Sequence, residues 1–200
     1  MRPRSDREIR LLFSGRMTGL KGGLILIDAL TPVASALKRP IRLIFVGDGP
    51  ARERWEQRAR LAQAANSNLQ IEFTGWLDRS RVDELTRYSD LLVVPSTWPE
   101  PFGLVGPEAG SHGLPAAAFA VGGIPQWLSD RVNGRLAPGN PPSAAGLADA
   151  IIQCVRDPAE LARLKNGARE QARRYSLQAH IDALLEIFAN VIGIEAASAR

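Results

Sequence analysis

Cysteine occurs once, at Cys154, so the chain has no intramolecular disulfide and no cysteine cage for a metal. That scarcity suits a reducing cytoplasm. The setting, Ile151-Ile152-Gln153-Cys154-Val155 in an apolar helical stretch, reads as a plain buried thiol. Long apolar runs are also scarce. The longest, Gly22 to Leu30 with Asp28 inside it, falls short of the roughly 20 residues that a spanning helix needs. The basic start, Met1 to Arg10, is followed only by Leu11-Leu12-Phe13 before polar Ser14 and Gly15, too short for a signal segment. The expected location is cytoplasmic, with peripheral contact at the inner membrane face left open. Lysine is rare as well: Lys21, Lys38 and Lys165 are three of 25 basic residues, so a lysine at a special place carries information. No Gly-Lys-Ser/Thr ending and no GxGxxG follows any strand, which disfavours the usual nucleotide folds.

What is present is ordinary globular composition. A chain of 200 residues, against roughly 150 per domain, makes one good-sized domain. With 45% hydrophobic and 23% charged residues it has enough apolar surface to build a core. The net charge of +4 and pI of 9.8 weakly favour an anionic ligand. Apolar strands are expected at Ile9–Phe13, Ile41–Val46, Ile71–Thr74, Leu91–Val94 and Ala116–Ala120. They alternate with helices at Gly22–Leu30, where Pro32 should break or restart the helix, and at Ala51–Ala65 and Arg81–Tyr88. Strands apolar on both faces, alternating with helices, predict an α/β domain: a doubly wound, Rossmann-like parallel sheet with helices on both faces. After Gly134 the pattern turns helical, over Ala144–Val155, Pro158–Arg174 and Leu177–Ile192. The last of these carries an amphipathic stripe that needs a partner surface. The expected domain runs from 1 to 194, and 195–200 should fray.

In such sheets ligands bind beyond the carboxyl ends of the strands, where the glycine-rich turns lie. Gly15-Arg16 followed by Lys21-Gly22 leads from a strand end to a helix start, and two cations there suit phosphate oxygens. A solvated loop with two surface cations is an equal alternative on this segment alone. Glu100 and Glu108 stand eight residues apart across a glycine-rich turn, where carboxylates can accept hydrogen bonds from vicinal hydroxyls; by spacing alone either is equally a cap or surface residue. His112, at the end of a short helix, and His180, on the last helix, read as structural residues. Trp55, Trp76, Trp98 and Trp127 are too scattered for a base-stacking row, although Trp98 lies near Glu100. Arg52, Arg54, Arg58 and Arg60 are interleaved with Glu53 and Glu56, a salt-bridged solvated face rather than a nucleic-acid track.

Taken in order, Gly15-Arg16-x4-Lys21-Gly22, Val46-Gly47-Asp48-Gly49-Pro50, Phe73-x-Gly75, Pro95-Ser96, Glu100-x7-Glu108-Ala109, Gly113-x-Pro115 and Gly122-Gly123 resemble the C-terminal domain of the retaining GT-B glycosyltransferases of family 4 (group 1). The resemblance runs from about Phe13 to Tyr175. It implies the C-terminal, donor-binding half of a GT-B fold that takes a UDP-, GDP- or ADP-hexose. Arg16 and Lys21 would clamp the diphosphate, Glu100 would touch the sugar hydroxyls, and Glu108 the ribose hydroxyls. Gly15 would belong to the phosphate loop, the amides of Phe102, Gly103 and Leu104 would line sugar and phosphates, and Gly75, Trp76 and Leu77 would sit by the base. Arg16, Lys21 and Glu100 are then the catalytic candidates. No Asp-x-Asp motif occurs, so neither a metal nor another cofactor is expected.

Two departures stand out. Many members have Gly-Gly-x-Pro-Glu where this sequence has Gly122-Gly123-Ile124-Pro125-Gln126. The N-terminal acceptor domain of the family is not in the sequence, so the expected partners are a nucleotide sugar and that domain or a separate partner chain. A second expectation, of a different class, is a non-catalytic nucleotide-sugar-binding or assembly module of a split or truncated enzyme, with an apolar surface for self-association, as a homo-oligomer, or for a separately encoded partner.

Overall fold

A computed structural model describes residues 8–192, so the tail expected to fray lies outside the described residues. Six strands, β1 (Ile9–Ser14), β2 (Ile41–Val46), β3 (Leu69–Gly75), β4 (Leu91–Val94), β5 (Ala116–Phe119) and β6 (Gly134–Ala137), form one sheet in the order β3-β2-β1-β4-β5-β6. Every neighbouring pair of strands is parallel. The doubly wound parallel sheet expected from the sequence is what the chain forms.

The two-sided burial explains the apolar runs. Odd-numbered residues of β1 and β2 (Leu11, Phe13, Leu43, Phe45) face one layer of helices, α1 (Gly23–Leu37), α2 (Arg52–Ala65) and α6 (Ala144–Val155). Even-numbered Leu12 and Ile44 face the other layer, where α4 (Val105–Ser111) and α5 (Ile124–Trp127) contribute Ala109, Ile124 and Trp127. α3 (Arg79–Tyr88) lies on this second side, adding Val82 and Leu85 at its margin. Near the carboxyl ends of β1–β3, Phe45 stacks on Phe73 at 4.7 Å and Trp55 meets Phe13 edge-on at 5.5 Å. This cluster is a firm floor under the turns above it, since truncating a buried aromatic costs about 3–5 kcal/mol.

Three sequence expectations need correction. Pro32 does not stop the first helix, which continues to Leu37. Asp28, Thr31 and Pro32 all lie on its exposed face, so the carbonyl that proline leaves without a partner faces water. The Gly19–Leu37 stretch that results is, among the described residues, the one helix apolar and long enough to cross a bilayer, but Leu26, Ile27, Leu30 and Val33 are fully buried in the core. The second correction is β6, a four-residue edge strand where no strand was expected; Gly134 and Arg135 mask its pattern. The third is the length of β3 and α3, each starting two residues early, α3 under a cap in which the Asp78 carboxylate accepts from Arg81 N at 2.9 Å.

α7 (Pro158–Arg173) packs on α4 and α6, burying Leu164 and Ala168. α8 (Leu177–Ile192) buries none of its residues, and Leu177, Leu185, Phe188 and Val191 are exposed. The stripe predicted for this helix exists and has no cover among the described residues. Cys154 is buried as expected, and burial pushes its thiol up to about 12.

Candidate functional site

The strand order reverses between β1 and β4, so the loops that leave these neighbours diverge and open a crevice at the carboxyl edge of the sheet. The loop after β1 carries Gly15 to Lys21 and ends in a single 3-10 turn, Gly19–Lys21. The loop after β4 carries Pro95 to Leu104. Two features fasten these loops together. Thr97 N donates to Leu20 O at 2.9 Å, and Gly22, at φ 69°, lies so close that a Cβ there would stand 1.9 Å from Pro95 O. Only glycine permits that approach.

The consequence is a charged group built from both loops. Lys21 Nζ donates to Glu100 Oε1, and Ser96 Oγ donates to the same oxygen at 2.6 Å. The Glu100 side chain is 14% exposed and that of Lys21 35%. From behind, Gly123 N donates to Glu100 O at 2.7 Å, and Gly122 approaches so closely that a Cβ would lie 2.3 Å from the same carbonyl. Burial pushes the Glu100 carboxyl up, but the hydrogen bonds from Lys21 and Ser96 and the Lys21 charge outweigh it and hold the group below the ordinary carboxylate value.

The other predicted residues surround this centre without joining it. Arg16 is exposed beside buried Met17, whose N donates to Asp48 O at 2.8 Å, and it shares a shallow depression with Asp48, Gly49 and Trp76. Gly15 N bonds Val46 O, and Gly75 O accepts from Gly47 N at 2.9 Å, so the turns after β1, β2 and β3 are linked. Leu77 and Glu108 line one cavity of about 370 Å³ between α3 and α4. Leu104 lines another, with Glu108, Arg169 and Tyr175. Phe102 is fixed by Trp127 Nε1, which donates to its carbonyl at 2.7 Å, and packs edge-on against Tyr175; Gly103, at φ 86°, turns the chain beside Trp127. Gln126 presents its exposed side chain to solvent and its carbonyl to Tyr175 Oη at 2.6 Å. Trp76 and Trp98 are largely exposed, so neither belongs to the core.

Sequence reasoning missed three participants. Ser96 was present only as part of a motif, yet it is 1% exposed and bound to Glu100. Asp83 and His112 line the α3–α4 cavity and pair with each other at 3.2 Å, Nε2 to Oδ1. His112 is indeed at the C-cap of α4, but nothing in the sequence says that α3 and α4 lie side by side. Arg52 pairs with Asp48 and Glu56, and Arg58 with Asp28, the salt-bridged surface expected of α2. Among the described residues no group of three or more His, Cys, Asp or Glu side chains converges as a metal site.

Comparison with known proteins adds a family. A model described as "Glycosyl transferases group 1" matches residues 2–171. The D-inositol 3-phosphate glycosyltransferase of Xylanimonas cellulosilytica is 33% identical over 180 residues, covering 90% of this chain and 42% of that protein. Its namesake from Saccharomonospora viridis is 34% identical over 184 residues, with 89% and 42% covered. The chain thus spans less than half the length of these curated relatives. Among solved structures, Anabaena Alr3699/HepE in complex with UDP and glucose superposes with a TM-score of 0.78 at 27% identity, over 92% of this chain and 49% of that one. The C-terminal domain of a glycosyl transferase group 1 family protein from Francisella tularensis shares the fold, with a TM-score of 0.72 at 22% identity, over 84% of this chain and 87% of that one.

Proposed function

The chain belongs to the glycosyl transferases group 1 family, and from that premise we propose that it is the C-terminal, donor-binding half of a retaining GT-B hexosyltransferase of family 4. Its donor is a UDP-, GDP- or ADP-hexose. The observation that carries the reading is the Lys21–Glu100–Ser96 group, assembled from two loops at the point where the strand order reverses. A lysine is rare in this chain, and one of three stands there.

In this reading Lys21 exchanges Glu100 for the donor's diphosphate, and Arg16 closes on the same phosphates. Glu100, released, accepts from hydroxyls of the hexose. Glu108 accepts from the ribose hydroxyls, with the amides of Phe102, Gly103 and Leu104 along the sugar and phosphates and Gly75 to Leu77 beside the base. Transfer breaks the bond between the anomeric carbon and the diphosphate oxygen, so negative charge grows on the leaving group. Fixed cations stabilise that charge more in the transition state than in the bound donor. The residues need no metal for this. The acceptor is held by a second domain or partner chain, and turnover needs that part.

The test is a thermal-shift panel of the 200-residue chain with UDP, GDP, ADP and their hexose conjugates, repeated with Lys21→Ala and Glu108→Gln. A ligand at about 100 times its Kd stabilises by roughly 2.7 kcal/mol. Selective stabilisation by one nucleotide series, reduced in both variants, supports the reading; no shift from any of them in a cooperatively melting sample overturns it. The uncovered face of α8 favours a second reading, a non-catalytic module that assembles with itself or a partner through Leu177, Leu185 and Phe188. A sharp monomer by light scattering that binds no hydrophobic dye counts against it.

A further inference from the structure

The indole of Trp127 is built in beneath the turn that follows Glu100. It is 3% exposed, and a Cβ at Gly106 would stand 2.3 Å from its Cζ3, so the ring fills the space that any larger residue at position 106 would need. Its backbone is held as well: buried Asn133 donates from Nδ2 to Trp127 O at 2.8 Å and accepts from Ser129 N at 2.8 Å. The ring therefore has one place, and from there its Nε1 donates to Phe102 O at 2.7 Å.

That bond decides how one peptide plane lies. The Phe102–Gly103 peptide is trans, so its N–H points opposite to its carbonyl and away from the indole. Turning the plane over changes ψ of Phe102 and φ of Gly103. Glycine accepts φ of either sign, so sterics at Gly103 do not choose between the two orientations. At φ 86° Gly103 has the one in which the carbonyl meets Trp127. No described residue accepts from the Gly103 N–H, nor from that of Leu104 after it.

We infer that Trp127 is a positioning residue: its indole N–H holds the Phe102–Gly103 peptide so that the Gly103 amide is presented to a phosphate oxygen of the donor. The inference rests on the donor-site reading above, which gives the Phe102 to Leu104 amides to the sugar and phosphates. Without the indole N–H the Phe102 carbonyl has no donor to face, and with the plane turned over it sets an acceptor against the phosphate. A bound diphosphate must then order the peptide itself, and the cost of that ordering is subtracted from its affinity. Trp127 acts through the Phe102 carbonyl, without contact to the ligand.

Amide NMR and calorimetry of the 200-residue chain test this, with UDP, GDP and ADP as probes and wild type, Trp127→Phe, Leu114→Val and Lys21→Ala as samples. Trp127→Phe keeps an aromatic ring and removes the N–H, whereas Leu114→Val trims the same core and leaves the N–H in place. Without ligand, the Gly103 amide should give one sharp resonance in wild type and Leu114→Val, and one broadened by exchange in Trp127→Phe. For the nucleotide that wild type binds best, Trp127→Phe should weaken affinity by roughly tenfold, the low end for a hydrogen bond to a charged group, while Leu114→Val stays within about twofold. Equal affinity in Trp127→Phe and wild type, or equal losses in Trp127→Phe and Leu114→Val, overturns the inference, and the donor-site reading stands if binding still depends on Lys21. Wild type alone gives a second check that does not need the variant to fold: a Gly103 amide resonance that stays in place while nucleotide binds overturns the inference. Absence of binding by all three nucleotides overturns the donor-site reading and this inference with it.

Discussion

Glu100 and Glu108 leave the same glycine-rich turn, eight residues apart, and end in opposite states. Glu100 is largely buried, takes hydrogen bonds from Lys21 and Ser96, and is braced from behind by Gly122 and Gly123. Glu108 is exposed on α4, and its carboxylate has no ion pair or hydrogen bond among the described residues. One carboxylate is organised by its neighbours and occupies Lys21, the lysine proposed above for the diphosphate; the other has no side-chain partner among the described residues. The difference teaches that two identical residues of one motif are set apart by what the surrounding loops bring to each.

The comparison breaks most completely at Gly22. Gly22→Ala forces a side chain into Pro95 O from a left-handed backbone conformation, so the two loops must separate; we expect a loss of about 3 kcal/mol in urea unfolding. Lys21→Ala should leave the fold closer to intact but lower nucleoside diphosphate affinity by roughly 10- to 100-fold, read by calorimetry. Glu108→Gln sharpens the contrast: affinity should fall by about tenfold while stability stays within about 0.5 kcal/mol, since no described residue depends on this carboxylate. The smallest effect is that of pH. The folded Glu100 is held below its ordinary value of 4.5, so its contribution to stability is complete above that pH and is lost as pH falls below it. Thermal melts of wild type and Glu100→Gln should therefore converge as pH falls below about 4.5.

Much of this was legible. β1, β2, β4 and β5 are apolar on both faces because helices cover both, and that condition writes itself as Leu11-Leu12-Phe13 or Leu91-Leu92-Val93-Val94. β6 was not, because a four-residue edge strand with Gly134 and Arg135 needs neither alternation nor a continuous run. Pro32 misled because its cost depends on where the orphan carbonyl faces, which only the packing of α1 decides. Lys21 and Glu100 were legible as motif members, but their contact across 79 residues was not. Ser96 was likewise legible only as a motif member and the Asp83–His112 pair not at all, for the same reason: each takes its contact from a neighbour that the sequence does not place beside it.

The division of labour between the two carboxylates is tested most directly by titrating Glu100→Gln and Glu108→Gln with UDP and with UDP-glucose. Glu108→Gln should weaken both ligands by the same factor, because both carry the ribose. Glu100→Gln should weaken UDP-glucose relative to UDP, and leave UDP unchanged or tighter because Lys21 no longer has to give up a partner. Equal losses for both ligands in both variants would contradict the account.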